Sequence, residues 1–158
     1  MTEPVLFYAG EFGYVFSNFS AFEVEWKGQL WPTSEHAYQA AKFDAHDLIC
    51  RINAASSPYM ALQLAREFED DGMLRPSWSS EKVDVMREII AAKHDQHPYV
   101  QKQLKQSIGR EIIENAPKDA FWGRGPDWKG QNMLGKLWME LRYLRYGEGP
   151  FEAEWFFK

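Results

Sequence analysis

The spacing at which hydrophobic residues recur changes at Trp31, and this change limits the possible folds more than any other feature. From Phe22 to Trp26 apolar and charged residues alternate, and the apolar run resumes after Lys27-Gly28, a pattern typical of a β-hairpin. Beyond Trp31 most segments carry apolar residues at helical spacing. The predicted fold class is therefore α+β, a mostly helical chain with a small N-terminal antiparallel β-sheet packed against the helices.

Length and charge restrict the domain count and the function classes. The 158 residues suit a single domain over 1–158 with one hydrophobic core. A net charge of −5 argues against a surface that neutralises a nucleic-acid backbone, although a local pocket for one phosphate is compatible with it. Aromatic residues form 16% of the chain, so rings are available to stack on a ligand.

Cys50 is the only cysteine, which excludes an intramolecular disulfide and a cysteine-based zinc cluster. We expect it to be a buried apolar thiol. The sequence contains neither a signal-peptide pattern nor an apolar run long enough to span a bilayer, which predicts a cytoplasmic protein that does not enter a membrane. No set of metal ligands is evident, so we expect neither a metal nor another cofactor.

Capping residues and helical spacing of apolar residues predict a series of helices from Asp44 onward. The predicted helices cover Asp44–Ala55, Tyr59–Glu69 behind a Ser57-Pro58 cap, a segment capped by Ser79, a segment opened by His97-Pro98, and Met133–Tyr146 capped by Asn132. In the last of these, the residues expected in the core are Leu134, Leu137, Leu141 and Leu144.

Lys93 ends an apolar stripe that contains Met86 and Ile90. Two interpretations are open for this lysine. It either carries its charge back to the surface along an apolar stem, which we favour, or points into a site.

A polar turn lies in the N-terminal part of the chain. A short β-type run at Val5–Tyr8 is followed by an aromatic-rich run from Phe12 to Phe19, which contains Ser17-Asn18-Phe19. Asparagine often hydrogen-bonds its own backbone in turns, so turn formation alone explains Asn18 as well as ligand binding does.

The stretch from Trp31 to Phe43 carries a helix start at Pro32-Thr33. On this helix one face presents the acid Glu35, the amide Gln39 and the amine Lys42. The neighbouring stripe of His36, Ala40 and Phe43 is expected to be buried. For the segment in isolation, the simpler interpretation is a solvated Glu–Lys pair.

The segment from Asp119 to Gly135 is the second one rich in polar residues and glycines. Its glycines permit either tight turns or a close approach to a ligand. It matches neither a phosphate-binding Walker loop nor a dinucleotide fingerprint. A purely structural glycine-rich turn remains an equal alternative.

Taken together, these motifs resemble those of the NADAR family, also called YbiA-like. The matching residues are Ser17-Asn18-Phe19; Glu35, His36, Gln39 and Lys42; Glu114; Asp119; Trp122-Gly123-Arg124-Gly125; Gly130, Asn132, Leu134 and Gly135; and Met139 and Arg142. The resemblance extends over about residues 7–145. Arg75 and Trp78 match a further family element, but Ser77 stands where Asp is frequent, and His94 follows Lys93 where Phe is usual.

The resemblance implies a YbiA-like fold and cleavage of an N-glycosidic bond between a ribose carbon and a nitrogen. Relatives act on phosphoribosylamino-pyrimidine intermediates of riboflavin synthesis or remove ADP-ribose from guanine, free or in nucleic acid. The implied catalytic residues are Glu35 and Asp119, with Lys42 as the amine of a Schiff-base route. The implied substrate-binding residues are Asn18, His36, Gln39, Trp78, Glu114, Trp122, Gly123 and Asn132.

Two non-enzymatic functions compete with this interpretation. A module that binds an ADP-ribose-like or NAD-related ligand without cleaving it needs the same stacking and hydrogen-bonding groups, but no reactive Glu35, Lys42 or Asp119. A scaffold that binds protein partners predicts an exposed patch of Trp and Phe in place of a polar pocket.

Overall fold

A computed structural model describes residues 2–8 and 13–157. Its strands are β1 (Val5–Phe7), β2 (Val24–Trp26), β3 (Gln29–Trp31) and β4 (Ile112–Glu114). Its helices are α1 (Ser34–Ala40), α2 (His46–Asn53), α3 (Pro58–Asp70), α4 (Trp78–Gln96), α5 (Pro98–Gln106) and α6 (Met133–Tyr146). Short 3-10 turns cover Tyr14–Phe16 and Ala153–Phe156. Phe12, where the predicted aromatic-rich run begins, lies outside the described residues.

The chain divides into two compact units, one formed by residues 18–97 and the other by 1–17 together with 98–158. The single-domain assignment over 1–158 stays a prediction. None of the helices in the described ranges is both long and apolar enough to cross a membrane.

The 18–97 unit contains the predicted hairpin. Strands β2 and β3 pair antiparallel, with Val24 opposite Trp31 and Trp26 opposite Gln29. Lys27 and Gly28 both have positive φ angles, 51° and 76°, as the two central residues of a type I′ turn require. Val24 and Trp31 are buried on the inner face. The predicted antiparallel sheet is confirmed.

Side-chain caps begin two helices of this unit. The hydroxyl of Thr33 accepts the His36 N–H at 3.2 Å, and Ser57 accepts the Met60 N–H at 3.1 Å ahead of Pro58. The Ser79 cap is wrong, because α4 already begins at Trp78. The Trp78 ring is buried against Tyr38, and the Trp78 N–H donates to the Arg75 carbonyl, which starts the helix early.

Cys50 lies on the outer surface of α2, so the prediction of a buried thiol is wrong. This thiol is exposed rather than buried. Leu48 and Ile52 form the buried face of α2, and Cys50 lies on the opposite face with its Sγ 3.4 Å from Nε2 of His46.

The other unit contains a parallel strand pair that the sequence did not predict. β1 pairs with β4, with Val5 opposite Ile112 and Phe7 opposite Glu114. Helix α6 packs against β4. This close approach explains Gly135, because a Cβ atom there would overlap the Ile112 carbonyl oxygen. Trp138 of α6 is fully buried and donates its Nε1–H to the Phe16 carbonyl at 3.1 Å.

The buried face of α6 ends on an arginine rather than a leucine. Leu134, Leu137 and Leu141 are buried as predicted, but Leu144 is 63% exposed. Near the end of the helix, fully buried Arg142 takes the inner position. Its guanidinium donates to the carbonyls of Ser107, Arg110 and Pro150. Burial lowers the pKa of Arg142 to about 10, so the side chain is still charged at neutral pH.

Candidate functional site

The Ser17-Asn18-Phe19 turn is fastened to the first turn of α1. The Asn18 carbonyl accepts the Glu35 N–H at 3.0 Å, and the Asn18 Oδ1 accepts the Ser34 hydroxyl at 3.0 Å. The Asn18 Nδ2 lies 3.4 Å from the sulfur of Met86 on α4. Asn18 therefore joins two segments of the 18–97 unit, and turn formation alone does not account for its side chain.

Glu35 and Gln39 form a buried pair on α1. They are 7% and 3% exposed, and the Gln39 Nε2 donates to the Glu35 Oε1 at 2.7 Å. The Gln39 Oε1 is also buried, and it has no hydrogen-bond partner within residues 2–8 and 13–157. A carbonyl oxygen in this state is costly unless a donor from outside the chain reaches it. The interpretation of this face as a solvated stripe is wrong for both residues.

Lys42 lies two residues beyond the last residue of α1, because α1 ends at Ala40. The Lys42 carbonyl accepts the Arg75 N–H at 3.0 Å instead of continuing the helix. Its ammonium lies 3.4 Å from Glu69 and 5.5 Å from the centre of the Tyr38 ring. The predicted acid, amide and amine therefore do not form one regular helical stripe.

Lys93 is fully buried on α4, so the favoured expectation that it reaches the surface is wrong. Its Nζ donates to the Ser20 hydroxyl at 2.7 Å and lies 5.4 Å from the centre of the Phe22 ring. Burial lowers the pKa of Lys93 to about 7. A sizeable fraction of this amine is consequently neutral near neutral pH, which is the state that acts as a nucleophile.

The stripe of His36, Ala40 and Phe43 is buried, as predicted. The Nδ1 of His36 lies 2.8 Å from the Thr33 hydroxyl, and its Nε2 lies 3.0 Å from the Ala55 carbonyl. Burial lowers the pKa of His36, while the hydrogen bond to Ala55 acts in the opposite direction. Both ring nitrogens are thus used within the 18–97 unit.

Trp78, predicted as a stacking surface for substrate, is packed inside the 18–97 unit. It is 5% exposed, and its ring lies 5.3 Å from that of Tyr38 at an angle of 59°. The Arg75 guanidinium lies 5.8 Å from the centre of the same ring.

In the other unit, the carboxylate of Asp119 shapes the start of the glycine-rich segment. Its Oδ1 accepts the N–H groups of Phe121 and Trp122 at 3.0 and 2.8 Å. The Trp122 ring meets Phe121 edge to face, with the ring centres 4.8 Å apart. A Cβ atom at Gly123 would come within 2.8 Å of the Ala116 side chain, so close packing requires this glycine.

Asn132 fastens this segment to β4 and does not cap α6 as predicted. It has left-handed backbone angles, with φ at 50°, and makes no capping hydrogen bond. Its Oδ1 accepts the Glu114 N–H at 2.9 Å, and its Nδ2 donates to the Ile112 carbonyl at 2.9 Å. The amide therefore pairs with the strand much as a neighbouring strand would.

The predicted site residues accordingly form two groups, each within one unit. Asn18, Glu35 and Gln39 are linked by hydrogen bonds in the 18–97 unit, and Glu114 and Asn132 are linked in the other. Lys93, which the favoured interpretation of the sequence placed at the surface, is fully buried in the 18–97 unit, and its position at the end of an apolar stripe was the available signal. Among the described residues, no group of three or more His, Cys, Asp or Glu side chains could hold a metal ion.

Comparisons with known proteins agree with this fold. The family model described as NADAR domain matches residues 6–144. N-glycosidase YbiA of Escherichia coli (strain K12) is 40% identical over 127 residues, which are 80% of this chain and 78% of that protein. Riboflavin biosynthesis protein VVA0006 of Vibrio vulnificus is 35% identical over 152 residues, which are 96% of this chain and 41% of that protein.

A solved structure extends the similarity to three dimensions. The NMR structure of the E. coli protein YbiA superposes with a TM-score of 0.79 at 35% identity, covering 97% of this chain and 94% of the solved chain. The predicted YbiA-like α+β fold is therefore confirmed. With the family match over most of its length, the chain belongs to the NADAR family.

Proposed function

We propose that this chain is an N-glycosidase, a hydrolase that cleaves the bond between a ribose carbon and a nitrogen. The observation that carries the proposal is the buried Glu35–Gln39 pair. It holds a carboxylate in a fixed orientation beside an amide oxygen that has no hydrogen-bond partner among the described residues. The name of the relative YbiA, an N-glycosidase, supports the same activity.

The chemistry explains why a buried carboxylate matters. As the C1′–N bond breaks, both bonding electrons leave with the nitrogen, and positive charge develops on the ribose ring. A carboxylate beside C1′ stabilises this charge most effectively where water is excluded. Water then adds its oxygen to C1′ and loses one proton, which replaces the proton that the departing nitrogen takes up. In this scheme Glu35 stabilises the charge and Asp119 donates the proton.

The buried pair also suggests how the sugar is held. The Gln39 Oε1 is a hydrogen-bond acceptor, so it suits a ribose hydroxyl, which is a donor. Asn18 sets the position of the Glu35 backbone through its carbonyl. The substrate contacts predicted at His36, Trp78, Glu114, Trp122, Gly123 and Asn132 stay predictions.

A covalent route would require a neutral amine. The Lys42 Nζ lies 3.4 Å from a carboxylate oxygen of Glu69. Lys93 has a pKa of about 7, so a sizeable fraction of this amine meets the requirement near neutral pH. Borohydride reduction during turnover should trap the sugar on wild-type protein if a Schiff base forms. Loss of trapping in Lys42→Met or in Lys93→Met identifies the amine, and absence of trapping in wild type leaves the carboxylate mechanism alone.

For the substrate we propose a phosphorylated ribose attached to an aminopyrimidine, as in riboflavin-synthesis intermediates. The name of the relative VVA0006 supports this choice. ADP-ribose on guanine is the alternative substrate, and binding of an ADP-ribose-like ligand without cleavage is the alternative function.

One assay separates these possibilities. Purified protein is incubated with a phosphoribosylaminopyrimidine and, separately, with ADP-ribosylated guanosine, and released ribose 5-phosphate or ADP-ribose is measured. We expect release from the first compound, and much less from Glu35→Gln than from Glu88→Gln, which changes an exposed carboxylate of the same unit. Binding of either compound without release of any sugar would favour the binding module.

A further inference from the structure

Trp128, in the glycine-rich segment, combines a strained backbone with an exposed side chain. Its φ angle is 63°, in the left-handed region that strains any residue with a side chain and favours glycine. The residue is 55% exposed, so burial in a core does not compensate for that strain. The catalytic and binding residues of the proposed reaction do not include it. A strained residue that persists without a packing reason is a candidate for a function.

One face of the Trp128 ring is covered by a cation. The Arg124 guanidinium lies over the ring, 4.2 Å from its centre. Two hydrogen bonds hold the guanidinium there, from Nε to the Asn115 Oδ1 at 2.6 Å and from Nη1 to the Gly125 carbonyl at 2.8 Å. Because this support is fixed, the exposed part of the indole keeps one orientation, as a surface for stacking requires.

The loop that carries Trp128 lies against Ala120, the residue that follows Asp119. The Trp128 N–H donates to the Gly125 carbonyl at 3.4 Å. A Cβ atom at Gly125 would lie 3.4 Å from the Cα and Cβ atoms of Ala120. The Gln131 N–H, at the other end of the loop, donates to the Ala120 carbonyl at 2.8 Å. A series of short contacts therefore connects the exposed ring to the segment of the proposed proton donor.

The role of Asp119 indicates which part of the substrate lies nearest. In the proposed reaction Asp119 protonates the departing nitrogen, which belongs to the base. Purine and pyrimidine bases are planar, and stacking on an aromatic side chain strengthens their binding by about five- to a hundredfold. Trp78, which was predicted to stack on substrate, is only 5% exposed and is packed against Tyr38. Trp128 offers the accessible ring that Trp78 does not.

The charges of the loop 124–130 are compatible with a base. Arg124 and Lys129 are cationic and Asp127 is anionic, and the Asp127 Oδ1 accepts the Lys129 N–H at 3.1 Å. The small positive balance disfavours a cationic ligand but does not repel a neutral ring. A phosphate would be attracted by the two cations, but that attraction does not require an indole. The exposed ring is explained by a planar ligand.

We propose that Trp128, supported by Arg124, is the surface on which the planar base of the substrate stacks, and that it contributes to the choice of base. The identity of that base rests on the proposed function. The stacking itself can be measured without turnover.

Nuclear magnetic resonance of 15N-labelled protein measures stacking directly, because each of the seven tryptophans contributes one indole N–H signal. The Trp128 signal is identified by its absence in Trp128→Phe. The probe is 4,5-diaminopyrimidine, a planar base, and ribose 5-phosphate is the control without an aromatic ring. We expect the diaminopyrimidine to shift the Trp128 signal. The signal of Trp155, a half-buried tryptophan of the same unit, should stay in place.

Variants at position 128 separate the ring from the backbone. Trp128→Phe and Trp128→Ala both place a side chain at the same positive φ, so the difference between them measures the ring. In the sugar-release assay, Trp128→Ala should raise the KM for the phosphoribosylaminopyrimidine by about fivefold or more. Its kcat should stay within about twofold of wild type, because stacking acts equally on bound substrate and transition state. Trp128→Phe should keep most of the affinity.

Tyr99→Ala is the matched control for these variants. It removes an aromatic ring of the same unit that is 56% exposed, and it should bind and turn over substrate as wild type does. Melting temperatures of all three variants check that they are folded.

The stacking assignment and the proposed function can fail separately. Diaminopyrimidine binding at Trp128 in a protein that releases sugar from neither N-glycoside would remove the N-glycosidase assignment and keep the stacking surface. Sugar release by folded Trp128→Ala with the wild-type KM would overturn the stacking surface and keep the enzyme. No movement of the Trp128 signal at millimolar diaminopyrimidine, or an equal shift with ribose 5-phosphate, would also overturn it.

Discussion

The two polar segments of this chain use the same types of side chain in different ways. Around α1, Glu35 and Gln39 are buried against each other, and one amide oxygen remains without a protein partner in the described ranges. In the glycine-rich segment, one oxygen of Asp119 and both amide atoms of Asn132 bind the backbone of their own unit.

This difference distinguishes polar side chains that can still bind a ligand from polar side chains that stabilise the fold. A buried polar atom without a partner is tolerated only where something outside the chain can satisfy it, which favours a ligand at α1. Polar atoms that complete a turn or extend a strand already have a structural role. A shared family motif therefore does not imply that all of its residues act on the substrate.

The largest expected effect comes from Glu35→Gln, which keeps the shape of the side chain but removes its charge. If Glu35 stabilises the developing positive charge, turnover should fall by at least about a hundredfold. The rate is measured by sugar release under saturating substrate, and the melting temperature checks the fold. Wild-type turnover in a folded Glu35→Gln variant would remove the basis for the α1 site.

Asp119→Asn is the corresponding change in the other segment. The Asn amide oxygen can still accept the two backbone N–H groups, so the turn should persist. Because Asp119 is the proposed proton donor, turnover of Asp119→Asn should fall by at least about a hundredfold. If Asp119→Asn keeps wild-type turnover while Asp119→Ala lowers stability, the carboxylate stabilises the turn only. The glycine-rich segment would then differ from α1 in having no catalytic acid.

Asn132→Ala tests the structural role of the amide. It removes both hydrogen bonds to β4 and places alanine at a positive φ angle, so the free energy of unfolding should fall by about 2–4 kcal/mol. Asn132→Gly removes the same bonds but tolerates the backbone, and should cost about 1 kcal/mol less. Urea denaturation gives both values. Near wild-type stability in Asn132→Ala would contradict the role assigned to this amide.

The smallest expected effect is a pH dependence from Lys93. Its folded-state pKa of about 7 lies below the ordinary value of 10.5, so between these values the unfolded chain binds more protons than the folded chain. The free energy of unfolding should therefore rise with pH above about 7. The slope of this rise corresponds to a difference of at most one bound proton between the two states. Below pH 7 this contribution should not change, because both states are protonated.

The comparison of wild type with Lys93→Met isolates this contribution. Urea denaturation between pH 6 and about 9 should show the rise in wild type and in Lys102→Met, an exposed control, but not in Lys93→Met. Parallel curves for wild type and Lys93→Met would mean that Lys93 is not titrating in this range in the folded protein.

Much of the fold was predictable because the relevant signals are local. Alternation around Val24 and the Lys27-Gly28 turn predicted the hairpin, and the Ser57-Pro58 pair predicted the start of α3. The cap at Ser79 failed because burial of the neighbouring Trp78 ring outweighs the preference of serine for helix starts. Signals of this kind fail where packing between distant segments competes with them.

By itself the sequence determined the hairpin, the order of the helices, the family, and the types of polar residue available for chemistry. Only the tertiary structure decided that β1 pairs with β4, that Cys50 faces outward and Leu144 is exposed, and that Lys93 is fully buried beside Ser20. The physical reason is that periodicity and capping depend on neighbours within a few residues. Burial and proton affinity depend on segments tens of residues away in the chain, and Lys93 and Ser20 are 73 residues apart.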